Sequence, residues 1–125
     1  MKFVADFHIH SKYSRAVSPL MDLENLDRWA KIKGIKVLGT GDFTHPKWFE
    51  FIKKELSPAE RGLFKLKGFD SPTRFILTSE ISCVYKKGGK VRKVHIVVFA
   101  PSVKAVEKRM KNALNFIKKA IGYHQ

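Results

Sequence analysis

Lys2-Phe3-Val4-Ala5-Asp6-Phe7-His8-Ile9-His10 decides how the rest of the chain is read. The run is mostly apolar until two imidazoles arrive at its end. Side chains of a β-strand alternate between faces with period two. Phe3, Ala5, Phe7 and Ile9 therefore share one face, fit to pack against helices. Val4, Asp6, His8 and His10 share the other, which ends in two imidazoles aimed the same way. That is a way to hold a metal ion at the carboxyl end of a strand, where α/β enzymes place their chemistry. His-x-His alone also describes two surface histidines. The weight rests on what the other strands bring to the same place.

Working outward, residues 2–8 form the first expected strand and residues 9–20 a polar loop ending in Ser18-Pro19. Asp22 is a suitable N-cap for a helix over about 23–33, with Leu23, Leu26 and Ala30 at helical spacing and Gly34 as the stop. Ile35 to Leu38 is a second strand leading into Gly39-Thr40-Gly41-Asp42. Pro46 opens a helix over Lys47–Leu56, and Ser57-Pro58-Ala59-Glu60 reads as a capping box starting a further short helix. Residues 65–73 read as loop. Phe75–Tyr85 and Val91–Phe99 read as strands of a hairpin turned by Lys87-Gly88-Gly89-Lys90. Ser102 caps a last helix with Val103, Val106, Met110, Ala113, Leu114, Ile117 and Ile121 as its apolar stripe. The order β-α-β-α-α-β-β-α implies an α/β architecture, and its first three elements a right-handed parallel βαβ unit. A closed eight-fold barrel does not follow, since it typically needs about 250 residues.

A chain of 125 residues, 44% hydrophobic, is one domain's worth with material for a core. We take residues 1–125 as a single domain. Twenty-five Lys and Arg against eleven Asp and Glu give a net charge of +14. Such a chain is drawn to polyanions, nucleic acid first among them. A solubilising lysine-rich surface is the plainer explanation of the same charge. Cys83 is the only cysteine, which rules out an internal disulfide and a cysteine zinc cluster. No apolar stretch is long enough to span a membrane, and no signal-peptide pattern opens the chain. The expectation is a soluble cytoplasmic protein.

Each expected strand carries ionisable residues near its carboxyl end. Strand one ends in His8 and His10, and strand two leads to Asp42 with His45 three residues on. The hairpin strands hold Glu80 and His95 within apolar surroundings. A charge there is costly unless paired, hydrogen-bonded or metal-bound. Glu80 and His95 are able to pair with each other. His8, His10, Asp42, His45, Glu80 and His95 taken together favour a metal site, and imidazoles with carboxylates suit Zn, Mn or Fe more than Mg or Ca. Glu80 suits a carboxylate that bridges more than one ion.

Ala5 to Ser14 resembles the first motif of the polymerase and histidinol phosphatase (PHP) superfamily. Gly39-Thr40-Gly41-Asp42-Phe43-Thr44-His45-Pro46 resembles a variant of its second motif, and Thr78-Ser79-Glu80-Ile81-Ser82 with Val94-His95 the third motif and the histidine after it. The combination is similar to the endonuclease Q-like branch, over residues 2 to about 110. The resemblance implies a distorted β/α barrel holding two or more Zn, Mn or Fe ions, and hydrolysis of phosphate esters. For that branch it implies DNA repair: cleavage beside deaminated bases or abasic sites. Carried over, His8, His10, Glu80 and His95 would be ligands, Glu80 bridging, and Asp42 and His45 ligands or near-ligands. The family's later ligands, including an Asp-x-His, have no match here. The expectation is accordingly a partial barrel, truncated relative to the family.

Asp6 lies one pleat before His8 and is placed to orient an imidazole. Lys12, Arg15 and Lys47 are near enough in sequence to contact phosphates, or to be ordinary solvated cations. Tyr13, Phe43 and Trp48 suit stacking on a flipped base, or packing under the loops. No side chain is assigned a catalytic role beyond the metal site. Three functions compete: an endonuclease Q-like, metal-dependent phosphoesterase acting on DNA; a small-molecule phosphatase of the histidinol-phosphate type, against which the charge argues; and a noncatalytic basic domain that binds nucleic acid. A truncated barrel also exposes strand edges, which favours self-association.

Overall fold

The computed structural model describes residues 1–14, 19 and 21–120, the last five by backbone alone. Strand β1 (Val4–Asp6) is followed by helix α1 (Leu23–Lys33), strand β2 (Ile35–Gly39) and helix α2 (Pro46–Glu55). Strands β3 (Leu56–Pro58), β4 (Phe64–Leu66), β5 (Arg74–Lys87) and β6 (Lys90–Ala100) come next, and helix α3 (Val103–Ala120) closes the order. The six strands form one mixed sheet in the order β1-β2-β5-β4-β3, with β6 added on β5.

The long strand β5 makes this possible. Its first residues pair in parallel with β2, Leu38 opposite Phe75 and Gly39 opposite Ile76, while Phe75 also meets Phe64 of antiparallel β4. From Leu77 onward its partner is β6, in antiparallel register to the tip. The expected parallel βαβ unit is present as β1-α1-β2.

Asp22 caps α1 by accepting from the Asn25 amide at 2.8 Å, and Gly34 ends it at φ 72°. Both follow from residue type, since a short carboxylate satisfies orphan amides and glycine tolerates the left-handed region. Ser102 caps α3 through the Ala105 amide at 3.1 Å. The core gathers Leu23, Leu26 and Ala30 of α1, Trp48, Phe49 and Ile52 of α2, Leu38, Phe75 and Leu77 of the sheet, and Val106 of α3.

Three expectations change. Ser57 to Glu60 does not start a helix: Leu56–Pro58 and Phe64–Leu66 pair as β3 and β4, so part of the expected loop is strand as well. Leu56, Phe64 and Leu66 are buried by that pairing, and the Glu60 carboxylate goes to Arg74 Nε at 2.6 Å instead of to a helix end. The first strand is short, and the face given to helix packing is largely open, with Phe3 58% and Phe7 39% exposed. The Phe7 ring meets Phe99 edge-on at 5.2 Å, and Ile9 alone of that face joins the core. Among the described side chains, which stop short of Ile117, the α3 stripe is buried only at its start, since Met110 and Leu114 are exposed. Ile121 lies outside the described residues. The described strands make an open mixed α/β sheet with three helices.

Candidate metal centre

The carboxyl end of β2 is tied to β5 by a buried polar stitch. The Thr40 amide donates to Ile76 O at 2.9 Å, the Gly41 amide to Thr78 Oγ1 at 2.9 Å, and the Thr78 amide to Thr40 Oγ1 at 3.2 Å. Trp48, fully buried on α2, donates its indole N–H to both Thr40 O and Gly41 O. Gly39 and Gly41 are demanded by contact. A β-carbon at Gly39 would stand 2.7 Å from Thr78 Oγ1, and one at Gly41 would run into the Ile9 carbonyl. The loop thus packs backbone to backbone against the His8–His10 segment and delivers Asp42 beside it.

Glu80 lies at the centre. Its Oε2 stands 2.8 Å from His8 Nε2 and 2.9 Å from His10 Nε2, and its Oε1 lies 2.5 Å from His95 Nδ1. His8 and His10 lie past the end of β1, so strand alternation does not place them, yet both rings reach one oxygen. Glu80 and His95 share a face of the hairpin, because Ser82 is the direct partner of His95. The Glu80 side chain is 14% exposed while the three imidazoles are 39–58% exposed, so the carboxylate is the floor of the site. The His8 hydrogen bond is the largest influence on its carboxyl; burial opposes it, the charges of His8 and His10 and the His95 contact add, and the group is held below the usual carboxylate range.

Asp42 stands behind His10. Its Oδ1 is 3.6 Å from His10 Nδ1, and its Oδ2 accepts from the Ser11 amide, the Ser11 hydroxyl and the Ser14 hydroxyl, each at 2.7 Å. Burial raises this carboxyl; the Ser14 and Ser11 bonds and the His10 charge outweigh that and leave it lowered. At 3.6 Å the carboxylate acts on the far nitrogen of His10 by charge and not through a hydrogen bond.

The other expected residues have different tasks. Asp6 accepts from the His8 backbone amide at 3.2 Å and not from a ring. His45 caps α2, its Nδ1 facing the Trp48 amide, and stacks on Tyr13 at 4.5 Å; it stands outside the Glu80 group. Lys12 lies over the rings of Tyr13 and Phe51, and Lys47 is exposed on the first turn of α2. Arg15 lies outside the described residues. Phe43 is buried, so it and Trp48 pack beneath the loops. An open cleft of about 400 Å³ runs over the site and adds Ser14, Ser82 and Lys93 to its walls. Reading the sequence missed these three. Lys93 was findable, since it shares the alternation of His95 along one strand.

The donor set fits a metal. His8, His10 and Glu80 place one ligand atom each within 4.8 Å of one another. Donors bound tetrahedrally to one ion at about 2.0–2.2 Å stand about 3.3–3.6 Å apart, so a small outward turn of the rings from the 2.8 and 2.9 Å seen here would admit an ion. Glu80 presents one oxygen to two histidines and the other to a third.

The fold and site define an α/β domain with a histidine–carboxylate cluster at the carboxyl ends of its strands. No family model matches the sequence. An uncharacterized protein of Methanocaldococcus jannaschii is 33% identical over 102 residues, which are 82% of this chain and 10% of that protein. The structure is similar to that of the lesion-specific endonuclease PfuEndoQ from Pyrococcus furiosus, at TM-score 0.69 and 32% identity over 86% of this chain and 24% of that one. It is also similar to endonuclease Q in complex with a 27-mer duplex substrate carrying an abasic lesion at the active site, at TM-score 0.68 and 32% identity over 86% and 25%. The chain spans a quarter or less of these relatives.

Proposed function

We propose that this chain provides a divalent-metal site for hydrolysis of phosphodiesters in damaged DNA, in the manner of an endonuclease Q-like member of the PHP superfamily. One observation carries the reading: both oxygens of Glu80 are engaged by three imidazoles. His8, His10, Glu80 and His95 are the ligands we assign, and Asp42 the residue that orients His10. Zn, Mn or Fe suits this set, and two ions sharing Glu80 suit its two-sided use. Bound ions of this kind supply Lewis acidity toward a phosphate oxygen and an attacking water.

The chain's own residues do the rest. Glu80 stays ionised at neutral pH and sets the charge of the site. Asp42 places a carboxylate charge 3.6 Å from His10 Nδ1, which favours the ring turning its other nitrogen to the site. Lys93 and the Ser82 hydroxyl, both on the cleft wall, are placed to donate to phosphate oxygens, while the Ser14 hydroxyl is committed to Asp42. The substrate we assign is DNA with a deaminated base or an abasic site. The two structural neighbours support this, one described as lesion-specific and the other holding a lesion-bearing duplex. The net charge of +14 supports a polyanion over a small phosphorylated metabolite. We place the reaction in the cytoplasm and treat residues 1–125 as one domain, part of a PHP-type barrel. Among the described residues, no helix is long and apolar enough to cross a membrane.

Elemental analysis of protein purified without chelator, beside His8→Ala, tests the site. Zn, Mn or Fe bound to the unaltered chain and lost in the variant is the expected result. Incubation with duplexes bearing uracil, hypoxanthine or an abasic site should then give metal-dependent strand cleavage that an undamaged duplex does not. Metal bound equally by both proteins would sink the ligand assignment, and cleavage insensitive to chelator would sink the reaction.

A further inference from the structure

The β5–β6 hairpin runs past the site. From Glu80 to Lys87 it extends seven residues, about 23 Å at strand rise. Every residue from Ile81 to Ile96 is exposed. Lys86, Lys87, Lys90, Arg92 and Lys93 crowd its outer end, and no carboxylate occurs between Glu80 and Glu107. Gly88 and Gly89, at φ 61° and 74°, close it with a tight two-residue turn.

The register distributes these cations over both faces. Lys93 is opposite Val84, so Lys93 and Lys86 lie on the face of Glu80 and His95. Arg92 is opposite Tyr85 and Lys90 opposite Lys87, which puts those three cations on the other face. Like charges packed this closely repel one another and stabilise nothing within the fold. They are accounted for by an anionic partner on both sides of the ribbon.

We infer that this hairpin is an arm that enters the major groove of B-form DNA, with its two faces turned to the phosphates of the two walls. The inference rests on the polynucleotide substrate proposed above. A two-stranded ribbon fits the major groove of B-DNA, whereas the deep, narrow A-form groove of duplex RNA does not admit it. The inner end of the arm is the cleft itself, where Lys93 and His95 sit on one strand. Docking the arm therefore fixes the distance between the gripped phosphates and the Glu80 cluster.

The test is binding of an undamaged DNA duplex and an RNA duplex of the same sequence, in chelator, across a salt series read by fluorescence anisotropy. A variant with Lys86→Gln, Lys87→Gln, Lys90→Gln and Arg92→Gln is compared with one that swaps Lys for Arg and Arg for Lys at those positions. Lys93 is left alone because it lines the cleft. The log–log salt slope for DNA should become shallower by about 3–4 in the neutral variant, at about 0.9 per phosphate contact, with at least about tenfold weaker binding at moderate salt. The charge-keeping variant should retain the slope, and circular dichroism should show both variants folded. An unchanged slope in the neutral variant would overturn the arm, as would RNA bound as tightly as DNA with the same loss. Because no metal is present, loss of the arm and loss of the metal site are separate results.

Discussion

Asp42 combines a left-handed backbone, φ 49°, with three donors converging on one carboxylate oxygen. A non-glycine residue in that region is held by its surroundings, and the serines of the preceding motif do the holding. The carboxyl is lowered in the folded chain, so it adds stability above the ordinary carboxylate range, about 4, and loses it as pH falls through the folded value. Asp42→Asn should cost about 1–2 kcal/mol at neutral pH, as a charged acceptor becomes a neutral one. Urea midpoints of the two metal-free proteins should converge as pH drops through the depressed value; a gap independent of pH would remove the carboxylate from the account. Glu80 differs in kind, because both its oxygens face imidazoles. Glu80→Gln should abolish metal binding, whereas His95→Ala leaves His8, His10 and Oε2 together and should halve it, both counted by elemental analysis. Glu80 and His95 were legible as ionisable residues on apolar strands, whereas His8 and His10 stood out as a pair although they lie past the end of β1. The use of Asp42 was not legible, since Ser11 and Ser14 reach it from a loop that no periodicity describes.

At the scale of elements, the loop after β2 and the β3–β4 hairpin show what pattern reading reaches. Helices α1 and α2 announce themselves by caps and apolar spacing, and both are where their residues put them. The capping-box pattern at Ser57–Glu60 misleads because local propensity is overruled. Leu56, Phe64 and Leu66 bury more apolar surface as a hairpin, Gly62 supplies the turn at φ 78°, and Arg74 takes the glutamate. The parallel pairing of β2 with β5 was equally illegible, because it joins residues far apart in the chain. Two glycines separate backbone conformation from crowding. Gly41→Ala meets both a φ of 65° and the Ile9 carbonyl, and should cost about 2–4 kcal/mol in chemical denaturation and release bound metal. Gly62→Ala, at φ 78° in open space, should cost about 1 kcal/mol and leave metal binding intact. Equal costs would mean that the loop yields to a β-carbon and does not fix Asp42 by contact.

At the scale of the whole molecule, two properties pull in opposite directions. The net charge of +14 keeps copies apart, while apolar side chains stay open on several elements. Phe3 and Val4 flank the start of β1, Ile81, Tyr85, Val94 and Ile96 continue the hairpin, and Met110 and Leu114 lie on α3, each 37% exposed or more. Strand β1 pairs with β2 alone among the described strands, which leaves an edge able to add another strand. We propose self-association of the chain through these faces, opposed by charge. Salt decides between the two forces, because a Debye length of about 8 Å at physiological ionic strength shrinks to about 3 Å at 1 M. Association should therefore strengthen with salt, while DNA binding weakens as counterion release is lost. Light scattering along a salt series should show mass rising over the range in which anisotropy shows the duplex coming off. Mass that stays at one chain throughout would mean that the apolar faces do not seek one another even when repulsion is screened. Mass that falls with salt would place charge pairs in the contact, against the excess of cations over carboxylates on this chain.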